Sequence, residues 1–249
     1  MTARTVVISG GGTGIGFATA LAFARDGDVP VLVGRRPEVL DRAAAAVAGA
    51  VACPADLTEP RGAARVAEFV ADRFGAVDVL VNCAGGNGGL EPAADSTDPL
   101  AGIAHDWTVN FRLNTLTAVL LTEALRDRLA APGGRVLFVS SIAAFRGSGS
   151  GSYAASKAAL HPYAFELAAT LGPRGVTVNV VAPGLIDDTE FFGTSMTPER
   201  RQARVEETLN GRAGTPGDVA ETLHWLASHA AGHLTAQVIQ VNGGAERGR

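Results

Sequence analysis

Short apolar runs alternate with longer amphipathic stretches along almost the whole chain. The runs TVVIS (5–9), VPVLVG (29–34), AVAC (50–53), VDVLVN (77–82), GRVLFVSS (134–141), VTVNVVA (176–182) and QVIQVN (237–242) predict seven β-strands. Most are nearly continuous in apolar residues rather than alternating, as in strands covered on both faces. Helical periodicity between them predicts helices over 14–25, 37–48, 61–74, about 99–130, 152–171 and 218–230. Strand–helix alternation of this kind implies right-handed crossovers and an α/β fold, a doubly wound parallel seven-stranded sheet with helices on both faces. No linker, repeat or low-complexity segment divides the 249 residues, so a single domain is expected. Two segments stand apart: 184–211 is a long irregular insertion, read as a substrate lid, and 245–249 is read as a frayed tail.

Composition narrows the class. Hydrophobic residues at 47% and charged residues at 18% allow a substantial core. A formal net charge of −4 gives no broad basic field for nucleic acid. No apolar run reaches the ~20 residues of a membrane span, and the start MTARTVVISG runs straight into a strand without a signal-peptide pattern. A soluble cytoplasmic protein is expected. Cys53 and Cys83 lack metal-ligand spacing and are read as reduced thiols. His105, His161, His224, His229 and His233 form no H-E-x-x-H pattern, so no catalytic metal is expected.

The first strand runs into GGGTGIG (10–16) and then a helix. Glycines there let the backbone turn sharply and approach a pyrophosphate, which would sit at the positive end of the helix, as in Rossmann-type dinucleotide sites. The spacing is Gly10-x-x-x-Gly14-x-Gly16 rather than G-x-G-x-x-G. The second strand ends Gly34-Arg35-Arg36, with no acidic residue for a ribose 2′-hydroxyl. An arginine fork there pairs with the 2′-phosphate of NADP, so NADP(H) is the expected cofactor, NAD(H) the lesser alternative, and Arg35 the better contact.

Of 21 basic residues, Lys157 is the only lysine, and it lies four residues after Tyr153, one of two tyrosines. On a helix that spacing puts both side chains on one face. A free phenol with a pKa near ~10 is a poor acid–base catalyst at neutral pH, and a nearby ammonium lowers that pKa. Lysine, a compact point charge with three donors, can lie under the phenol and still bind ribose hydroxyls.

With these parts in order, residues 4–244 resemble the short-chain dehydrogenase/reductase family, in particular its 3-oxoacyl-ACP reductase-like members. The resemblance implies cofactor contacts from Gly10, Thr13, Gly14, Ile15 and Gly16, from Arg35 and Arg36, from Asp56 and Leu57 in ADL, and from Asn82, Ala84 and Gly85 in NCAG, where Cys83 replaces an Asn. It adds Pro183, Gly184, Ile186 and Thr189 in APGLIDDT, with Tyr153 and Lys157 holding the nicotinamide ribose. The implied catalytic set is Asn110, Ser141, Tyr153 and Lys157. SSIAA aligns the family's serine with Ser141, whereas the usual thirteen-residue spacing to the tyrosine points to Ser140.

What the resemblance implies is hydride transfer between nicotinamide and a carbonyl carbon. Tyr153 protonates the developing alkoxide, Ser141 binds the same oxygen, Lys157 tunes the phenol, and Asn110 holds a water that relays protons. The expected activity is NADP(H)-dependent reduction of a ketone to a secondary alcohol. The physiological direction stays open. Phe191, Phe192 and Met196 point to an apolar or aromatic ketone or simply pack the lid. For a 3-oxoacyl group on a carrier protein, Arg174, Arg200, Arg201 and Arg204 are candidate contacts; a polyketide, steroid or sugar ketone fits as well. Alternatives are a non-catalytic NADP(H)-binding redox sensor and an NAD-linked alcohol dehydrogenase. A homotetramer through the helices about 99–130 and 152–171 and the last strand is also implied.

Overall fold

The computed structural model describes residues 3–88, 98–147, 149–193 and 195–247. Seven strands are present: β1 (Thr5–Ser9), β2 (Val29–Gly34), β3 (Val51–Pro54), β4 (Val79–Asn82), β5 (Arg135–Val139), β6 (Thr177–Pro183) and β7 (Gln237–Val241). They form one parallel sheet in the order β3-β2-β1-β4-β5-β6-β7. The order reverses between β1 and β4, which opens a crevice at the carboxyl ends of the strands.

Consecutive strand residues feed two separate cores, which is why the strands read as unbroken apolar runs. Val7, Val31, Phe138 and Val180 face helices α3 (Pro60–Arg73), α5 (Thr117–Leu125) and α8 (Leu160–Leu171), through Val66, Leu121 and Leu167 among others. Their neighbours Ile8, Leu32, Leu137 and Val181 face α1 (Gly14–Arg25), α2 (Pro37–Ala46) and α10 (Pro216–Leu226), through Phe23, Leu40 and Leu223. Each large side chain fully buried this way contributes roughly 1.5–3 kcal/mol.

The predicted helix over 99–130 has an interruption. It runs as α4 (Pro99–Phe111), a π-helical turn (Arg112–Leu116) and α5. The 152–171 helix divides into α7 (Gly151–Ala158) and α8, because Pro162 has no N–H to give the carbonyl of Ala158. The 184–211 segment is not irregular throughout: it contains α9 (Pro198–Glu206), started by Pro198 and by Thr197, whose hydroxyl accepts from the Arg200 N–H. The tail is tied as far as it is described. The Ala245 carbonyl accepts from Arg146 Nη1 at 3.1 Å and the Ala245 N–H bonds Asn242 O at 3.2 Å. The short α6 (Ala143–Arg146) follows β5. Among the described residues, no helix is long and apolar enough to cross a membrane.

Candidate functional site

Because the sheet is parallel, loops distant in sequence meet at one edge. They enclose a cleft of about 840 Å³ lined by Gly10 and Thr13–Gly16 after β1, Arg35 and Arg36 after β2, Asp56 and Leu57 after β3, and Ala84 and Gly85 after β4. Ser141 after β5, Pro183, Gly184, Ile186 and Thr189 after β6, and Tyr153 and Lys157 on α7 complete it.

The glycine loop needs its glycines. Gly10 and Gly14 take φ of +69° and +52°, and a Cβ on Gly16 would fall 2.2 Å from the Gly10 carbonyl oxygen. Thr13 caps α1 through extended backbone and accepts no N–H with its side chain, so the first turn at Gly14–Gly16, which lines the cleft, is left without a side-chain cap.

Ser150 starts α7 by accepting the Tyr153 N–H, and this aims Tyr153 and Lys157 into the cleft, 7% and 5% exposed. Lys157 Nζ donates to the Val139 carbonyl at 2.9 Å. Burial lowers its pKa to about 8, against the Cys83 thiol, which raises it. The Tyr153 phenol does not follow the sequence expectation. Burial pushes it up to about 12, and the hydrogen bond from Ser141 opposes this only in part. The ammonium commits a donor to the sheet, and loss of solvent dominates at the phenol.

Both serines line the cleft, but they differ in their bonds. Ser140 is 3% exposed; its hydroxyl donates to the Lys157 carbonyl at 3.0 Å and lies 2.9 Å from His161 Nε2. Since that hydroxyl has one proton and a carbonyl only accepts, His161 donates from Nε2. Ser141 lines the cleft beside the phenol.

Asn110 requires correction. Its side chain accepts from the Gly88 N–H at 3.2 Å and donates to Asp106 O and Ser152 Oγ, each at 3.0 Å, outside the residues lining the cleft. Asn114, one turn later and inside the π-helical turn, is the asparagine that flanks Lys157. A Cβ on Gly85 would lie 2.5 Å from Asn114 Oδ1 and 2.9 Å from Lys157 Nζ. Asn114 clamps Gly86, accepting its N–H at 3.0 Å and donating to its carbonyl at 2.9 Å. Helical periodicity could not separate the two, because positions four apart share a face. The Asn82 side chain also points away from the cleft, to Thr122 Oγ1 at 3.0 Å.

Arg35 has no carboxylate within ion-pair distance among the described residues, whereas Arg36 is held by Glu190 of the 184–211 segment at 2.8 Å, both side chains exposed. Phe191 packs on Tyr153, ring centroids 5.3 Å apart, and Phe192 packs perpendicular to Phe191 at 4.8 Å. Of the four candidate arginines only Arg204 lines the cleft; Arg174 precedes β6 and so lies at the opposite edge of the sheet, and Arg201 pairs with Asp187. Arg146 lines the cleft and was not anticipated.

A family model described as Enoyl-(Acyl carrier protein) reductase matches residues 10–246. The 7alpha-hydroxysteroid dehydrogenase of Escherichia coli (strain K12) is 32% identical over 97% of this chain and 93% of its own. The 3-oxoacyl-[acyl-carrier-protein] reductase of Synechocystis is 32% identical over 98% and 97%. A crystal structure of a short chain dehydrogenase from Burkholderia cenocepacia J2315 in complex with NADP superposes with a TM-score of 0.85, at 30% identity over 98% and 97% of the two chains.

One lysine makes the buried ammonium directly observable. In protein labelled with ¹³Cε-lysine, the single cross-peak should titrate with a midpoint of about 8 in the ligand-free state, the charge being lost as pH rises through it. A midpoint near the ordinary ~10.4 would place the ammonium in solvent.

Proposed function

Because the chain belongs to the short-chain dehydrogenase/reductase family, we propose that it reduces a ketone to a secondary alcohol with NADPH, Tyr153 delivering the proton. The observation that carries this reading is the buried Tyr153 phenol beside Ser141 at the crevice of the sheet, with Lys157 one turn further along the same helix.

The cleft suits a dinucleotide. The Gly10–Gly16 backbone leaves no space for a side chain at Gly16, the first turn of α1 lines the same space, and Arg35 has no carboxylate within ion-pair distance among the described residues. Those groups would hold the pyrophosphate and the 2′-phosphate. Bound there, the nicotinamide supplies hydride chemistry to a carbonyl carbon.

The chain's own residues handle the oxygen. Ser141 donates a hydrogen bond to it as charge builds, and a preorganised donor of this kind is worth about 2.7–4 kcal/mol. Tyr153 then gives its proton. An alkoxide is about as basic as hydroxide, water having a pKa of ~15.7, so a phenol near 12 still protonates it downhill. By microscopic reversibility the phenolate of the same residue takes the proton back in the reverse reaction. Lys157 spends one donor on Val139 and keeps two for ribose hydroxyls. Phe191 and Phe192 form the apolar part of a lid and suit an apolar or aromatic ketone, such as a 3-oxoacyl or polyketide-type chain, free or carried on a protein.

The assembly is a homotetramer in this reading. Leu100, Ile103, Trp107 and Phe111 form an exposed apolar stripe along α4, with Phe165 exposed on α8.

Three outcomes test the reading. Tyr153→Phe should lower kcat on a panel of ketones by about 10²- to 10⁴-fold while NADPH binding, followed by fluorescence, stays within about twofold; wild-type protein that binds NADPH and reduces none of them would be a sensor. Arg35→Ala should weaken NADPH by about 10- to 100-fold and leave NADH nearly unchanged, and equal losses for both cofactors would remove the 2′-phosphate role. Multi-angle light scattering should return the mass of four chains; the mass of one chain contradicts the tetramer.

A further inference from the structure

Apart from the central Lys157, the charged side chains that line the cleft fall into two groups along the sheet. Arg35, Arg36 and Asp56 follow β2 and β3, with Glu190 reaching back to Arg36. Arg146, Arg204 and Glu207 lie at the other end, beyond β5 and β6. Neighbouring strands are about 4.8 Å apart, so the four steps from β2 to β6 separate the groups by on the order of 20 Å.

The second group is unequal in charge. Arg146, five residues after Ser141, donates to the Ala245 carbonyl and forms an ion pair with Glu207. Arg204 reaches the same Glu207 oxygen at 3.6 Å. Two guanidiniums thus face one carboxylate among the lining side chains at this end. All three are partly open to solvent, at 26%, 37% and 38% of side-chain surface. The walls around them are apolar, with Ile142, Ala143, Leu185 and Phe192. A wholly apolar ketone would make no use of the excess positive charge at this end. A ketone with an anionic group would match it, and a planar guanidinium fork suits carboxylate or phosphate oxygens.

We propose that Arg146 and Arg204 form a subsite for an anionic group, a carboxylate or a phosphate, on an otherwise apolar ketone substrate. This rests on the reductase reading above. Arg146 comes from α6 and Arg204 from α9, so a bound anion bridges the body of the domain and the lid. Glu207 occupies the arginines in its place and competes with it.

The test uses two ketone pairs that differ in charge: 4-oxo-4-phenylbutanoate with its methyl ester, and acetoacetyl-CoA with acetoacetyl-N-acetylcysteamine. The first reads a carboxylate, the second the phosphates of CoA. For at least one pair, Arg204→Gln should lower the charged-to-neutral ratio of kcat/KM by about three- to tenfold, and Glu207→Gln should raise it by about two- to fivefold. Loosened packing would not give opposite signs. Ratios unmoved by both variants in both pairs overturn the subsite. If wild-type protein reduces none of the four, the reductase reading falls and the subsite is judged separately. Saturation-transfer NMR of 4-oxo-4-phenylbutanoate and of CoA on the ligand-free protein should then show weaker binding to Arg204→Gln and stronger binding to Glu207→Gln. Equal binding to all three proteins rejects it.

Discussion

The site depends on an ammonium kept out of water. Burying Lys157 is unfavourable, which is why its pKa falls to about 8, and the compensation comes from the Val139 carbonyl at the end of β5. That bond is one of those that fix where α7 lies on the sheet. It also places Tyr153 one turn earlier on the same helix face and Ser141 two residues beyond Val139. Gly85 is constrained by the same group, since a side chain there would press on Nζ at 2.9 Å.

Around this ammonium, polar side chains tie α7, the π-helical turn and the loop after β4 together. Ser140 donates to the Lys157 carbonyl and accepts in turn from His161 Nε2. Asn114 fixes Gly86, and Asn110 joins Gly88 to Ser152 at the start of α7. Thr115, within the π-helical turn, donates to the Ser156 carbonyl at 2.8 Å. The widened turn thus sets two side chains, Asn114 and Thr115, against α7 and the β4 loop. π-Turns within α-helices are often found at functional sites, and here the turn supplies contacts that a regular helix would point elsewhere.

Sequence legibility follows from what each feature depends on. The strands were visible because Val7 and Ile8, or Val31 and Leu32, are each buried on opposite faces. The Tyr153–Lys157 pair was visible because arginine supplies every other basic side chain. Asn114 was hidden by a change of helical pitch that leaves no compositional trace. α9 was missed because it has no buried residue and is specified by its Thr197-Pro198 start instead. Arg146 lies on a four-residue helix and gains meaning only from Glu207, which is distant in sequence. The direction of the Tyr153 shift was misjudged because proximity of charge can be read from spacing, but the degree of desolvation cannot.

The cleft therefore treats its charges in two ways. At each end, arginines are held by a glutamate on the segment after β6 or on α9's far side: Arg36 by Glu190, Arg146 and Arg204 by Glu207. Exposed pairs like the first are worth only about 0–1 kcal/mol, so an incoming anion can replace the carboxylate at little cost. The central ammonium is different, because its partner is a backbone carbonyl within the sheet. Exchangeable pairs at the ends and a cation tied to the sheet in the middle divide the cleft's charges into those that an incoming ligand can displace and one fixed by the fold itself.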